Sequence, residues 1–260
     1  GYVARAHAPT VTMPRIKAMM TGSVPRFVDL INNLREAEAA GVDADADADD
    51  ESLVALAKKA GKRLVLYGDD TWLKLFPRSF EPHSDGTTSS FFTPDFVEVD
   101  ANVTRHLRED LDPSFQQPRS REWDVLVLHY LGLDHVGHQL GPDAPRMSAK
   151  LREMDSVVET VVEAVAAQDR LANGAQRTLV ALVSDHGMNG AGNHGGASRQ
   201  ETAAVAVFFD ATLSPTVGDE PPPEDAAQAL RLAEVFQIDL ATTLSQALGL
   251  RNPANALGCP

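Results

Sequence analysis

The chain contains one cysteine, Cys259, almost at its end. No internal disulfide can form, and no zinc knuckle can be built from thiolates. Long apolar runs are missing too. No 18 apolar residues stand together, and the opening GYVARAHAPTVTMPR has no apolar h-region, so these residues are expected to hold neither a signal peptide nor a membrane span. Positive charge is scarce: 23 Lys and Arg stand against 37 Asp and Glu, a formal net charge of −14. Such a field repels a phosphate backbone, no basic stripe offsets it, and nucleic acid is not an expected partner. Aromatic residues make up only 6% of the chain, which gives no signal of a slot for stacking a nucleotide base.

The chain is well supplied with apolar residues, 43% of 260, enough for one α/β core. Four β-branched-rich runs read as buried strands: 63–67, 123–131, 178–184 and 202–209. Helical periodicity lies between and around them, from Pro25, from Asp50, from Ser148 and through LAEVFQIDLATTLSQALGL, which begins at residue 232. Strands alternating with helices predict a largely parallel sheet with helices on both faces. A single domain over 1–260 is expected, with the acidic stretch 42–52 and the proline-rich stretch 218–225 as surface loops.

In open α/β sheets, ligand groups gather where strands end. VLVLHYLG runs into LDHVGH, where Asp134 and His138 stand four apart, a spacing that stacks both on one helical face. Alone, the pair reads equally as a helix-start aspartate with an incidental histidine. TLVALV delivers SDHGM, with Asp185 and His186 adjacent and Gly187 available to turn them toward one point. Asp-His-Gly is also an ordinary turn composition. His194 follows in GNHGG. Together, the five residues form a mixed oxygen and nitrogen ligand set, suited to zinc or manganese rather than calcium. A nucleophile is offered by Thr12 in APTVTMPR: it is expected to cap a helix running through Ile16 to Thr21, in the positive field of the helix start, unless it is a plain N-cap.

Thr12 in P-T-x-T-x-P, followed in order by L-D-x-x-x-H, S-D-H-G-M and N-H-G-G, resembles the alkaline phosphatase superfamily. APTVTMPRIKAMMTGSVPRFVD, YGDDTWLKLFP, DGTTSSFF, EVDANVTRHL, WDVLVLHYLGLDHVGH and KLREMD are similar to the GPI ethanolamine phosphate transferases, in particular their type 2 branch. The resemblance implies an alkaline-phosphatase-like three-layer α/β/α sandwich. It also implies transfer of phosphoethanolamine from phosphatidylethanolamine to a mannose, the second, of the GPI precursor. Carried over by motif, Asp134, His138 and His194 would hold one divalent ion, while Asp185, His186 and Thr12 would hold a second, with Thr12 as catalytic nucleophile. Zinc is the expected metal and manganese the alternative.

The resemblance further implies the lumenal side of the endoplasmic reticulum membrane, a transmembrane region of the same parent and a small membrane partner subunit. Asn102, in the sequon Asn102-Val103-Thr104, is then a candidate glycosylation site. Asp69 and Asp70, past the first strand, are candidates for the substrate's ammonium or sugar hydroxyls, or an ordinary acidic loop. Thr10 and Asn193 are candidates for phosphate contact. His106, His129 and His135 are expected to be structural. The family carries one more ligand, an Asp ending a strand upstream of PTVTMPR, whereas the first Asp here is Asp29. The chain therefore reads as a fragment lacking that first strand, with apolar surface left open beside the gap. Competing expectations are a nucleotide pyrophosphatase or phosphodiesterase, and an inactive lumenal fragment or binding module. A sulfatase is disfavoured, since no Cys stands at the nucleophile position.

Overall fold

A computed structural model describes residues 1–24, 51–88, 92–111, 122–172, 177–210 and 233–260. The helix expected from Pro25, the stretch 42–50 and the whole 218–225 loop fall outside them. The described strands are β1 (Tyr2–Arg5), β2 (Leu64–Asp69), β3 (Asp85–Thr88), β4 (Val125–Leu128), β5 (Leu179–Val183), β6 (Ala203–Asp210) and β7 (Ala233–Phe236). The helices, in chain order, are α1 (Thr12–Thr21), α2 (Leu53–Lys59), α3 (Thr71–Leu75), α4 (Glu98–Leu111), α5 (Gly132–Leu140), α6 (Pro145–Leu171) and α7 (Asp239–Ala247).

Two ladders organise the strands, in the orders β5-β6-β1-β7 and β3-β2-β4. Parallel pairing joins β1 to β7 and β2 to both β3 and β4, while β6 runs antiparallel to β5 and β1. β2 is buried along its whole length, as a strand covered on both faces must be. On one face, Ala4, Ala204 and Ala206 of the first ladder share a core with Leu64 and Leu66 of the second. Ile16 and Met19 of α1, Leu53 and Val54 of α2 and Leu240 of α7 close that side. On the other face, Leu107 and Leu111 of α4 meet Val165 and Ala166 of α6 over Leu126, Leu128 and Val180. Helix, sheet, helix is thus the layering, as the sequence pattern predicts.

Four local expectations need correction. β1 was not anticipated, because YVAR is too short to show alternation, yet its pairing from Tyr2 to Arg5 with both β6 and β7 makes it central to its ladder. β3, DGTT, has no apolar signature at all. The run from residue 232 is not one helix: AEVF pairs with β1 as a strand, and helix α7 begins only at Asp239. A parallel partner decided this against local periodicity. Finally, Val11, in extended conformation, occupies the cap position of α1, so Thr12 is its first helical residue rather than its cap.

The outer face of the first ladder keeps apolar groups in solvent, with Val205, Leu182 and Phe236 exposed by 39%, 39% and 56%. Their registers put all three on one side of the sheet, opposite Ala4 and Ala206.

Candidate metal centre

Helix α5 follows β4 directly and is started by a borrowed carboxylate. Asp100, buried on α4, accepts the N–H groups of Leu131 (3.1 Å) and Gly132 (2.9 Å), two donors that a helix start leaves without a partner. Lys150 of α6, also buried, donates to the other oxygen of Asp100 at 3.1 Å. The fixed first turn carries Asp134, and one turn later His138 Nε2 stands 3.3 Å from Asp134 Oδ2. The four-residue spacing therefore does stack the pair.

The strand β5 ends at Val183 and releases Asp185 and His186. Gln237, fully buried ahead of α7, donates from Nε2 to the carbonyls of Ser184 (3.2 Å) and Asp185 (2.5 Å), fixing this turn. Gly187 contributes through lack of bulk, since a Cβ there would stand 2.1 Å from the Gln200 carbonyl oxygen. Its N–H instead donates to Glu201 O at 2.8 Å.

The loop returning from Met188 to His194 lies directly on α5. A Cβ on Gly192 would stand 2.2 Å from the Gly137 carbonyl oxygen, and its φ of +77° is itself one that side chains resist. Glu201 pins the far side of the loop, accepting the N–H groups of Gly196 and Ser198, each at 3.1 Å. Hydrogen bonding from Ser198 and Gly196 holds its carboxyl below the usual carboxylate range. Gly192→Ala is therefore expected to lift the loop off α5, cost about 1–3 kcal/mol and weaken zinc binding at least tenfold. A thermal melt together with a zinc titration tests this, and unchanged zinc affinity would refute the loop's positioning role.

These elements bring five of the predicted residues together. Ligand atoms of Asp134, His186 and His194 all lie within 4.8 Å of one another. His194 Nε2 is 3.0 Å from His138 Nε2 and 3.4 Å from Asp134 Oδ1. The rings of His186 and His194 stack at 3.8 Å, and Asp185 Oδ2 stands 3.2 Å from His186 Nε2. The remaining ring nitrogens set the tautomers: His194 Nδ1 donates to the Thr10 carbonyl (2.7 Å) and His186 Nδ1 to the Gly187 carbonyl (3.0 Å). In these tautomers the Nε2 atoms of His186 and His194 carry the lone pairs that a cation would use, the arrangement of metal-ligating histidines. Burial, helped by the neighbouring His186, lowers the His194 pKa below the usual histidine range. Asp134 Oδ1 is buried and accepts no hydrogen bond, an orphaned acceptor in the middle of the donor set. A divalent ion fits this group of residues.

Thr12 stands half-buried at the first turn of α1, two residues beyond the Thr10 carbonyl that holds His194. Thr10 itself is fully buried, donating to Gly196 O (2.8 Å) and accepting from Gly195 N (2.9 Å). Its hydroxyl ties the loop to α1 and has nothing left for a phosphate. Asn193 is exposed, its N–H donating to Asn189 Oδ1 at 3.2 Å. Asp69 is completely buried and accepts the Thr71 N–H at 2.6 Å, and Asp70 pairs with Lys74 at 2.7 Å, so both serve the start of α3. Asn102 is half-buried on α4, with the sequon's Thr104 hydroxyl donating to Asp100 O at 3.1 Å. His106 stacks on Tyr67, His129 accepts from Trp72 Nε1 at 3.2 Å, and His135 is buried against the Asp95 carbonyl.

Pattern reading overlooks Gln237, Glu201 and Arg15. Arg15 had a visible signal, since a charged residue four positions before the buried Met19 lies on the apolar stripe of its helix.

Among curated relatives, GPI ethanolamine phosphate transferase 2 of Aspergillus fumigatus is 45% identical over 258 residues, covering 99% of this chain and 31% of the relative. The protein of the same name from Aspergillus oryzae is 45% identical, with 99% and 28% covered. GPI ethanolamine phosphate transferase 2, catalytic subunit, from Homo sapiens is 43% identical, with 99% and 23% covered. The chain thus spans less than a third of the length of each of these relatives. Among the described residues, no helix is long and apolar enough to cross a membrane. The family described as Type I phosphodiesterase / nucleotide pyrophosphatase matches residues 2–204, from β1 through the aspartate and histidine cluster to the start of β6, and the chain belongs to it.

Proposed function

We propose that this chain is the catalytic portion of a phosphoethanolamine transferase of GPI-anchor synthesis, working on the lumenal face of the endoplasmic reticulum. Its donor is phosphatidylethanolamine and its acceptor a mannose of the GPI precursor, the second by resemblance to type 2 relatives. The observation that carries this reading is the convergence of Asp134, His186 and His194 within 4.8 Å, with His194 bonded to the carbonyl of Thr10, two residues before Thr12.

In this reading Asp134, His138 and His194 would hold one divalent ion, and Asp185, His186 and Thr12 would hold the other, zinc being favoured by the imidazole-rich set. When bound, such a pair lowers the pKa of a coordinated hydroxyl and neutralises charge on a phosphoryl group. The Thr12 oxygen attacks phosphorus, the bond to the diacylglycerol oxygen breaks, and phosphoethanolamine is held on Thr12. A mannose hydroxyl then enters along the same line and takes the group, restoring the Thr12 hydroxyl. The first turn of α1 supplies backbone N–H groups to the phosphoryl oxygens. Asn102 carries a glycan in this compartment.

Elemental analysis of zinc per folded chain tests the metal part. About two ions are expected, with His194→Ala and Asp185→Ala each losing one. A single ion indifferent to Asp185→Ala would sink the two-ion site for this chain and leave a fragment unable to perform its parent's chemistry.

A further inference from the structure

One turn into α1, three residues after Thr12, Arg15 is 0% exposed, and none of Nε, Nη1 and Nη2 has a hydrogen-bond partner. Among the described residues it makes no ion pair. A fully buried guanidinium with five idle donors is costly to keep, and retaining one calls for an occupant that repays the desolvation. Desolvation pulls Arg15 down to about 10, so it is still a cation at neutral pH, and the charge of Asp185 partly offsets that fall. His7, whose Nδ1 is likewise buried without a partner, is held below the usual histidine range by burial and by the Arg15 charge. The Arg15 charge is therefore felt at His7, and Arg15 itself feels that of Asp185.

Direction matters as much as charge. Side chains of a helix lean toward its N-terminus and residues three apart share a face, which sets Arg15 on the same side of α1 as Thr12. Asp185 does not satisfy it, since Oδ1 accepts the His186 N–H at 3.0 Å and Oδ2 faces His186 Nε2 at 3.2 Å. The free fork matches an oxyanion with two oxygens side by side.

We propose that Arg15 is the oxyanion receptor of this site, gripping two non-bridging oxygens of the phosphoryl group while that group is on Thr12. The assignment rests on the Thr12 reading above. It makes Arg15 a determinant of phosphoryl binding that acts by hydrogen bonds and charge, separately from the ligands of a divalent ion.

The test is binding of inorganic phosphate to the whole 260-residue chain by calorimetry, in EDTA and with zinc, using acetate as the carboxylate comparison. Phosphate binding is expected in both conditions. Arg15→Gln should weaken it at least tenfold, while Arg15→Lys, which keeps the charge and loses the fork, weakens it less. Zinc per chain is expected to stay unchanged in both variants. A purely structural arginine would move the melting temperature and leave phosphate affinity alone, so equal affinity in the wild type and Arg15→Gln overturns the proposal. Acetate bound as tightly as phosphate overturns it too, because Arg15 would then serve a carboxylate. If Arg15→Gln does not fold, the ratio of phosphate to acetate affinity in Arg15→Lys decides the matter. Arg15-dependent phosphate binding beside transfer that survives loss of the Thr12 hydroxyl would refute the nucleophile and keep the receptor; the reverse pattern would do the opposite.

Discussion

Thr12→Ala in the full-length parent is expected to reduce phosphoethanolamine transfer at least about a thousandfold. The substitution removes one oxygen from the first residue of α1, which is not part of the buried core. Val11 provides the extended entry to the helix, and the buried face of α1 is built by Ile16, Met19 and Met20. Fold and ion retention through Asp134, His138 and His194 should therefore survive, while the only step that places phosphorus on the protein is lost. Thr12→Ser returns a hydroxyl at the same backbone position and should recover much of the rate. The measurement is transfer of labelled phosphoethanolamine from phosphatidylethanolamine to a GPI acceptor, read beside zinc content. Undiminished transfer by Thr12→Ala would end the nucleophile assignment.

The second large effect lies away from the Asp134, His186 and His194 cluster. Lys150→Met should destabilise the chain by about 3–5 kcal/mol, the cost of leaving a buried carboxylate without its counter-charge. Lys150 and Asp100 have side chains only 0% and 1% exposed, and their 3.1 Å contact is joined by Glu153 at 2.8 Å from the same ammonium. The same Asp100 supports the start of α5, so the damage travels. An unpaired Asp100 will draw water or a proton, its grip on Leu131 and Gly132 will loosen, and Asp134 and His138 will lose their fixed turn. Urea unfolding with a parallel zinc titration checks both consequences. Asp100→Asn with Lys150→Met together should be milder than Lys150→Met alone, because no naked charge remains. A double variant as unstable as the single one would mean that the pair's charge is not what α5 depends on.

The residues of the candidate metal centre were legible in the sequence because their signals are local. Asp134 and His138 announce themselves by helical spacing, and Asp185, His186 and His194 by falling just beyond a strand among glycines. The layered α/β architecture followed from runs such as LVLYGD and TLVALV. What escaped is non-local. AEVF reads as helix until its parallel partner YVAR is known, and YVAR is too short to read at all. Asp69 and Asp70 look like acids offered to a ligand, yet one is sealed beneath α3 and the other is taken by Lys74. Thr10 looks like a phosphate contact, and its hydroxyl closes the loop at Gly195 and Gly196. A hydroxyl or carboxylate has the same letter whether it faces a substrate or a backbone amide, and only packing distinguishes them.

The position of β1 has a consequence for how the molecule is made. Tyr2 leaves the ribosome long before its register partners, Ala206 and Ala233. At about 5–20 residues per second, the strand waits on the order of ten seconds or more before either neighbour exists. Throughout that wait Thr10 and Thr12 belong to an unanchored segment, since the loop that ties Thr10 down has not emerged. The centre is therefore completed late in the synthesis of these residues, when Asp185, His186 and His194 have emerged and β6 and β7 take β1 between them.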